Sequence, residues 1–580
     1  MKKIMIKRRI CLLLAALLLF PGWLQASGRV VERTYLSTDR DVYVAGDVLW
    51  YSAFCVDASQ GTLSQVSSIA YVELRTPGAV VCSGKVALLE GRGAGRLQLP
   101  LTIPTGNYRL IAYTAQNKAE EGYDFTGLAS KTISVFNVYS NERLEGGVEV
   151  VSDGAYESLR SPVRPGMTPG SDGSVMPGSD RASDSIRWDG DSLTVVNAGE
   201  TAATFSLSVF HDDGILSNGN PTLADFLAGC RKLGPVHFDD AVIPEYEGEI
   251  IRGHVTGLDP EKLPSIAGRY AFISTPSDKS DVYTSVIDGN GRVAFFTGNI
   301  YGNKECICEI EGIDPSLNCF IELESPFTQA RVAPVRPLRM AASLREALAA
   351  RSFAMQVERR FTPDTLYDLL RVHENGLFGT HEIVYPLDDY TRFPTMSEVF
   401  IEFIPEIRAR RWSDGRRNIQ VRLEDGTETT ISRDTTLMML DGVPVFDQQK
   451  ILDYDPLLVE SIHVYPRTTF IGSRIFGGVV NFVTYKHNLP AFHFGENARV
   501  IDFQGVDWPL AATGEALFSE EAYPDYRQTI YWHPQQEMAP GASLRIPCKK
   551  PDYKGRFRVV AEGLSADGIP LRAETSFVTE

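Results

Sequence analysis

Residues 432–489 constrain the fold of this chain more than any other stretch, because they spell out strands and turns in a fixed order. Thr436–Leu440 is an apolar strand-like run that stops at Asp441-Gly442. Asp-Gly between apolar runs favours a two-residue hairpin turn, since both central positions need φ > 0. Val443, Pro444 and Val445 follow that turn. Pro456 precedes a strand at Ile462–Tyr465, and after a Gly-punctuated loop Gly477 and Gly478 let the chain bend into a final strand, Val479–Tyr485. Val443, Val445, Val459, Ile462, Val464, Val479 and Val480 are expected to line one small core.

The DGVPV hairpin, Pro456 ahead of VESIHVY, and the closing GGVVNFVTYK resemble, in this order, the plug domain of TonB-dependent outer-membrane receptors. The resemblance implies a small α+β domain over 391–490. Asp441, Gly442, Val443, Pro444, Pro456, Gly477 and Gly478 carry the motif, in structural rather than catalytic roles. A receptor barrel of about 22 strands needs at least ~200 residues, more than follow position 490. The expectation is a plug without its own barrel. No short N-terminal box of the kind TonB pulls on is apparent.

The N-terminus reads as an export signal. Lys2, Lys3, Lys7, Arg8 and Arg9 precede the apolar run Ile10–Phe20, Pro21-Gly22 breaks it, and Ala26 offers the cut. Residues 1–26 are therefore expected to be a signal peptide, placing the mature chain in the periplasm or at the outer membrane, or on the cell surface. No later run is apolar for eighteen residues, so no transmembrane span is expected in the mature chain. The net charge of −17 argues against nucleic acid, which needs basic patches. Seven cysteines follow the signal: Cys55, Cys82, Cys230, Cys306, Cys308, Cys319 and Cys548. An odd number leaves at least one unpaired. Cys55–Cys82, and Cys306 or Cys308 with Cys319, are candidate pairs; buried free thiols are the other reading.

The remaining sequence is mainly β and multi-domain. Residues 29–137 alternate strands and turns as a β-sandwich does. Their TDRDVYVAGDVLWY and LPLTIPTGNYRLIAYT resemble the macroglobulin domain that opens alpha-2-macroglobulin-type proteins, an immunoglobulin-like sandwich. The Cys-Gly-Glu-Gln thioester motif of that family is absent from the sequence. Residues 138–190 are expected to be a Gly/Ser/Pro-rich linker, with Pro-Gly-Ser-Asp at 169–172 and 177–180. Residues 191–335 return to strands; IIRGHVTG followed by SVIDGNGRVAF resembles the carboxypeptidase regulatory-like sandwich. Asp288-Gly289-Asn290-Gly291 reads as a hairpin turn rather than a calcium loop. A helical connector is expected over 336–390, with helices at 343–361 and Thr365–Val372, and a further helix-like stretch, broken by Pro405, at Met396–Ile407. Residues 491–580 are a C-terminal β-region that either stands alone or completes an earlier domain.

Catalytic signatures are missing from the sequence: no His-Glu-x-x-His, no Gly-x-Ser-x-Gly, no phosphate-binding Gly loop. His373-Glu374 and His381-Glu382 read as a loop rather than a metal site. Trp50, Tyr51 and Phe54, and Tyr523, Tyr526, Tyr531 and Trp532, read as core rather than recognition strips. Arg408, Arg410, Arg411, Arg416 and Arg417 form a basic patch in an acidic chain, either a solvated turn or a docking surface for an acidic partner. The expected function is that of a non-enzymatic exported protein acting by protein–protein contact at the bacterial outer membrane. No cofactor and no metal are expected; the partners are envelope proteins, an outer-membrane barrel among them. The alternatives are the plug subunit of a two-chain receptor and an envelope hydrolase with an unrecognised site.

Overall fold

The computed structural model describes residues 29–160 and 186–579, apart from 128, 191, 217, 240–241, 278–280, 362–377, 379–381, 412–416, 426–427, 432–433 and 511–523. The chain is mainly β and multi-domain. The expected signal peptide and the expected helix Thr365–Val372 lie outside the described residues, as do His373, His381, Arg416 and Tyr523. Among the described residues no helix is long and apolar enough to cross a membrane.

The first module is a sandwich. Glu32–Thr38, Val48–Asp57 and Arg92–Gln98 form a three-stranded sheet. Val42–Val44, Lys131–Phe136, Gly106–Tyr113, Ile69–Arg75 and Val80–Ala87 form a five-stranded one. Alternate residues point inward, as the period of two requires: Leu49, Tyr51, Ala53 and Cys55 from one sheet meet Ala70, Val72, Leu74, Leu110, Ile133 and Val135 from the other.

The other modules are nested rather than sequential: 191–335 does not close as one sandwich, and 491–580 completes earlier modules, one of the two expected arrangements. Ala203–His211 lies between Thr529–Met538 and Gly555–Ser565, and Pro570–Thr579 completes that sheet. Ile186–Trp188 and Ser192–Val196 join Ser543–Pro547 in the facing sheet. The outermost module is thus built from both ends of residues 186–579. Inside it lies a second sandwich. Arg292–Phe296, Ile250–Thr256 and Phe320–Leu323 form one sheet; Val282–Val286, Tyr270–Ser274, Asn303–Ile310 and Arg499–Gln504 form the other. Residues 383–484 sit between the last two strands of that sandwich as a further insertion.

This innermost module is α+β. Its sheet runs in the order Ile383–Pro386, Val459–Ile471, Arg474–Thr484, Leu437–Leu440, Val443–Pro444. The three strands read from the sequence share this sheet. Asp441 and Gly442 form the hairpin turn with φ of 46° and 78°, the pair of left-handed residues a type I′ turn demands. Helices Met396–Phe403 and Gln448–Leu452 cover one face, where Val445, Val459, Ile462, Val464 and Val480 are buried. Val479 turns the other way and packs with Phe272, Val282, Met439 and Phe476 against the neighbouring sandwich. The seven valines and isoleucines therefore do not line one core. The period of two sends Val479 and Val480 to opposite faces.

Two further expectations need correction. The Gly-punctuated loop before Val479 is instead a long hairpin, Val459–Ile471 against Arg474–Thr484. Gly477 and Gly478 lie inside its second strand. Gly478 has φ 89°, and a Cβ there would come within 2.8 Å of Val421 Cβ. The expected linker 138–190 begins as ordered chain. Val148–Val150 pairs in parallel with Leu338–Met340, and Tyr156 of the helix Asp153–Arg160 is buried with Leu338 and Leu344. The helix expected over 343–361 is present, a 3-10 turn Ala342–Leu344 leading into Arg345–Phe361, and it packs back on the first sandwich. The helix-like stretch Met396–Ile407, expected to break at Pro405, is a helix to Phe403, and Ile407–Arg411 is a strand.

Candidate functional site

The sequence Val282–Phe296 is a hairpin whose two strands belong to different sheets. Asp288 closes the turn: its Oδ1 accepts from Asn290 N and Arg292 N, each at 2.8 Å, and its own N donates to Arg292 O at 3.0 Å. Beyond the turn the strands part, because Val282–Val286 is bonded to Tyr270–Ser274 while Arg292–Phe296 is bonded to Ile250–Thr256. The buried side chains of Ile287, Val293 and Phe295 fill the wedge from inside. One link remains, Ala294 N donating to Ser285 Oγ at 2.9 Å. The parted strands leave a groove of about 670 Å³. Arg252, Thr284, Arg292, Phe296 and Glu324 line it, and the hairpin tip Ile471-Gly472-Ser473 of the innermost module closes one end.

Both strands present a free edge to this groove. Thr275 N donates to Asp281 O and Ile287 N to Arg269 O, each at 3.0 Å. The antiparallel ladder alternates, so Val282, Thr284 and Val286 turn their N–H and C=O outward. On the other strand Thr297 N donates to Glu249 O and Val255 N to Gly291 O. Arg292, Ala294 and Phe296 therefore turn outward, and of their N–H groups only that of Phe296 has no partner among the described residues. Phe296 is 62% exposed and Val286 45%. Cross-strand pairing places Arg252 opposite Ala294 and His254 opposite Arg292, all on the outer face of the sheet. Neither Arg252 nor Arg292 has a side-chain hydrogen bond or ion pair among the described residues, whereas His254 lies 4.0 Å from Glu322 and from Glu324.

Several other charged clusters hold modules together. Lys85 Nζ meets Glu249 at 2.7 and 2.8 Å with both side chains buried. Burial pushes the Glu249 carboxyl up, against the pull of Lys85. Tyr71 Oη donates to Glu245, whose carboxyl burial also raises. Burial lowers Lys118 beside them. Arg351 reaches from its helix to Asp213 and to Val42 O, joining the helix to the first sandwich and the outermost module. Tyr35 Oη donates to Glu562 at 2.8 Å across the same junction.

The residues singled out in the sequence fall elsewhere. Asp441 is fully buried, and its carboxylate accepts from Thr484 N, Thr484 Oγ1 and Leu489 N at 2.6, 2.7 and 2.8 Å. Gly442 N donates to Asn481 Oδ1 at 2.9 Å. Val443 and Pro444 form the short strand after the turn. Pro456 opens a 3-10 turn capped by Asp455, whose Oδ1 accepts from Leu457 N at 2.9 Å. Arg408, Arg410 and Arg411 lie on the strand Ile407–Arg411, paired with Arg417–Asp425, so that Arg411 faces Arg417 across the ladder. Arg408 is exposed. Arg408 is not among the residues lining the groove. Trp50, Tyr51, Phe54, Tyr531 and Trp532 are core. All seven cysteines are free thiols, and burial raises every one of them, Cys230 to about 11 and Cys82 to about 12. Among the described residues no three His, Cys, Asp or Glu side chains gather as a metal site would need. The groove was missed because its signal, a Gly turn between strands, reads in sequence as an ordinary hairpin.

No family model matches this chain, and no curated protein does. Among solved structures it is similar to Escherichia coli alpha-2-macroglobulin activated by porcine elastase, with 10% identity and a TM-score of 0.23 over 94% of this chain and 44% of that one. The native conformation of E. coli alpha-2-macroglobulin gives 10% and 0.23 over 96% and 40%. A Salmonella alpha-2-macroglobulin mutant gives 10% and 0.23 over 97% and 41%. The chain spans less than half the length of each. A TM-score of 0.23 transfers neither a fold nor a function to this chain.

Proposed function

We propose that this chain is an exported, non-enzymatic protein of the bacterial envelope that works by protein–protein contact, with the groove of the parted hairpin as its contact surface. The observation that carries the reading is the free edge of Val282–Val286, facing Arg252 and Arg292 across the groove. Exposed edges are ready templates for another chain, and proteins ordinarily blunt them with charge, proline or a cover. The segment Val282-Tyr283-Thr284-Ser285-Val286 has no charged residue and no proline. Lys85–Glu249, Arg351–Asp213 and Tyr35–Glu562 are occupied in joining modules, and the thiols are buried and raised, the opposite of what a nucleophilic cysteine needs. The resemblance of 391–490 to receptor plugs enters as kinship of one part, whose hairpin tip here shapes the groove.

Photo-crosslinking in intact cells tests the reading. A crosslinker at Val286 or Phe296 is expected to capture a discrete envelope protein. One at Leu89, 76% exposed on the first sandwich, is expected not to capture it. Turnover of any member of a broad peptide and glycan panel by the purified chain would overturn the non-enzymatic reading.

A further inference from the structure

We infer that the groove binds an extended, acidic peptide segment of the partner as an added β-strand. The inference rests on the contact reading above and names what the contact surface recognises. Its basis is a coincidence of three features at one place.

The first is main-chain chemistry. Val282, Thr284 and Val286 offer outward N–H and C=O groups along a strand of five residues, about 16 Å at the usual rise. Groups alternating at that spacing match a polypeptide backbone, and strand addition takes its affinity from such bonds. A glycan offers no matching ladder.

The second is charge. Two carboxylates, Asp288 and Glu324, line the groove with Arg252 and Arg292. Asp288 is taken up by Asn290 N and Arg292 N, and Glu324 lies beside His254. Neither arginine has a side-chain partner among the described residues, on a chain of net charge −17. Unpaired arginines in so acidic a chain favour a carboxylate brought by the ligand, held in a bidentate fork. A second copy of this chain pairing through the same edge does not supply one, because Val282–Val286 contains no Asp or Glu.

The third is shape. Exposed Phe296 and Val286 flank the arginines. Phe296, two residues past Ala294, shares the outer face with Arg252 and Arg292, so one set of a peptide's alternate side chains meets the guanidinium groups and Phe296 together.

The test uses the full mature chain and blocked fluorescent peptides read by anisotropy. The probes are an alternating valine–glutamate peptide, its valine–lysine counterpart, and a valine–glutamate peptide N-methylated along one edge. The acidic peptide is expected to bind, the lysine peptide not, and N-methylation to abolish binding. The double variant Arg252→Glu, Arg292→Glu should weaken the acidic peptide about ten-fold or more, equal to ~1.4 kcal/mol, and should now bind the lysine peptide. That swap of preference also shows the variant is folded. Amide exchange should slow at Val282, Thr284 and Val286 on binding. Binding blind to peptide charge, protection elsewhere, or a dimer formed through this edge overturns the inference. If the groove-positioned crosslinker captures its partner while the acidic peptide fails, the contact reading stands and this inference falls.

Discussion

Removing the Asp441 carboxylate should unfasten the innermost module. The side chain is fully buried and accepts three hydrogen bonds, two from Thr484 and one from Leu489 N. Asp441→Ala leaves two buried donors of Thr484 and the half-buried Leu489 N without an acceptor, each buried one costing ~1–3 kcal/mol. It also puts Ala at φ 46°, where Asp is tolerated better. Some relaxation and water entry will offset this, so the expected loss is about 3–5 kcal/mol. Asp441→Asn keeps one acceptor oxygen and the tolerance of left-handed φ, and should lose about half as much. Because the chain has several modules, one global unfolding free energy is poorly defined. The measurement is therefore native-state amide exchange at Thr484 and Leu489, supported by protease nicking within 383–490. A loss under ~1 kcal/mol for the alanine variant, or equal losses for both, would refute the claim that this carboxylate holds the turn to the strand end.

Two other perturbations follow from the buried charges. Lys85→Met strands the Glu249 carboxylate between the first sandwich and the 250–323 sandwich, and should lower stability by about 3–5 kcal/mol. Adding Glu249→Met should recover most of that, since replacing both partners by apolar groups costs little; denaturant midpoints of the two variants decide. Asp507 is held up to about 7 by burial. A raised carboxyl pKa means its stabilisation is complete below the unfolded value near 4 and is lost as pH rises through 7. Full burial would give ~4 kcal/mol, and the partly exposed side chain gives about half. Thermal midpoints should therefore fall from pH 4 to pH 8, and Asp507→Asn should flatten that fall.

What the sequence disclosed was local. Asp441-Gly442 announced its turn because left-handed φ at two successive positions has few residue solutions. The strand periodicity of 29–137 likewise announced a sandwich. The hidden parts depend on partners far away in sequence. Nothing in Ala203–His211 says that its neighbours are Thr529–Met538 and Gly555–Ser565. A central strand buried on both sides reads the same whichever strands flank it. The hairpin tip at Gly472-Ser473 looked like a loop because its outer residues, among them Phe470 and Ile475, are exposed and break the alternation. Asp441 was legible as a turn residue but not as a buried acceptor, because Thr484 and Leu489 reach it only after the sheet has formed. The groove was least legible, since it arises from two strands that do not pair.

That failure to pair has an energetic reason, and it decides how the groove behaves. Zipping Val282–Val286 onto Arg292–Phe296 would add a few ladder bonds, each worth ~0.5–1.5 kcal/mol net. It would also pull Val293 and Phe295 from the core they share with Ile251, Ile273 and Cys308, or lift Val282 from Phe272 and Ile471. Losing the burial of side chains of this size costs about 1.5–3 kcal/mol each, and the ladder bonds of both strands to their present sheets would be lost as well. The parted state therefore wins by several kcal/mol. The module is further clamped from one side by Lys85–Glu249 and from the other by Arg474 on Glu311, with contacts of 2.8 and 3.1 Å from Nε. The free edges are thus a fixed property of the folded chain rather than a fluctuation. A ligand strand meets an edge already in place and is spared the cost of ordering it.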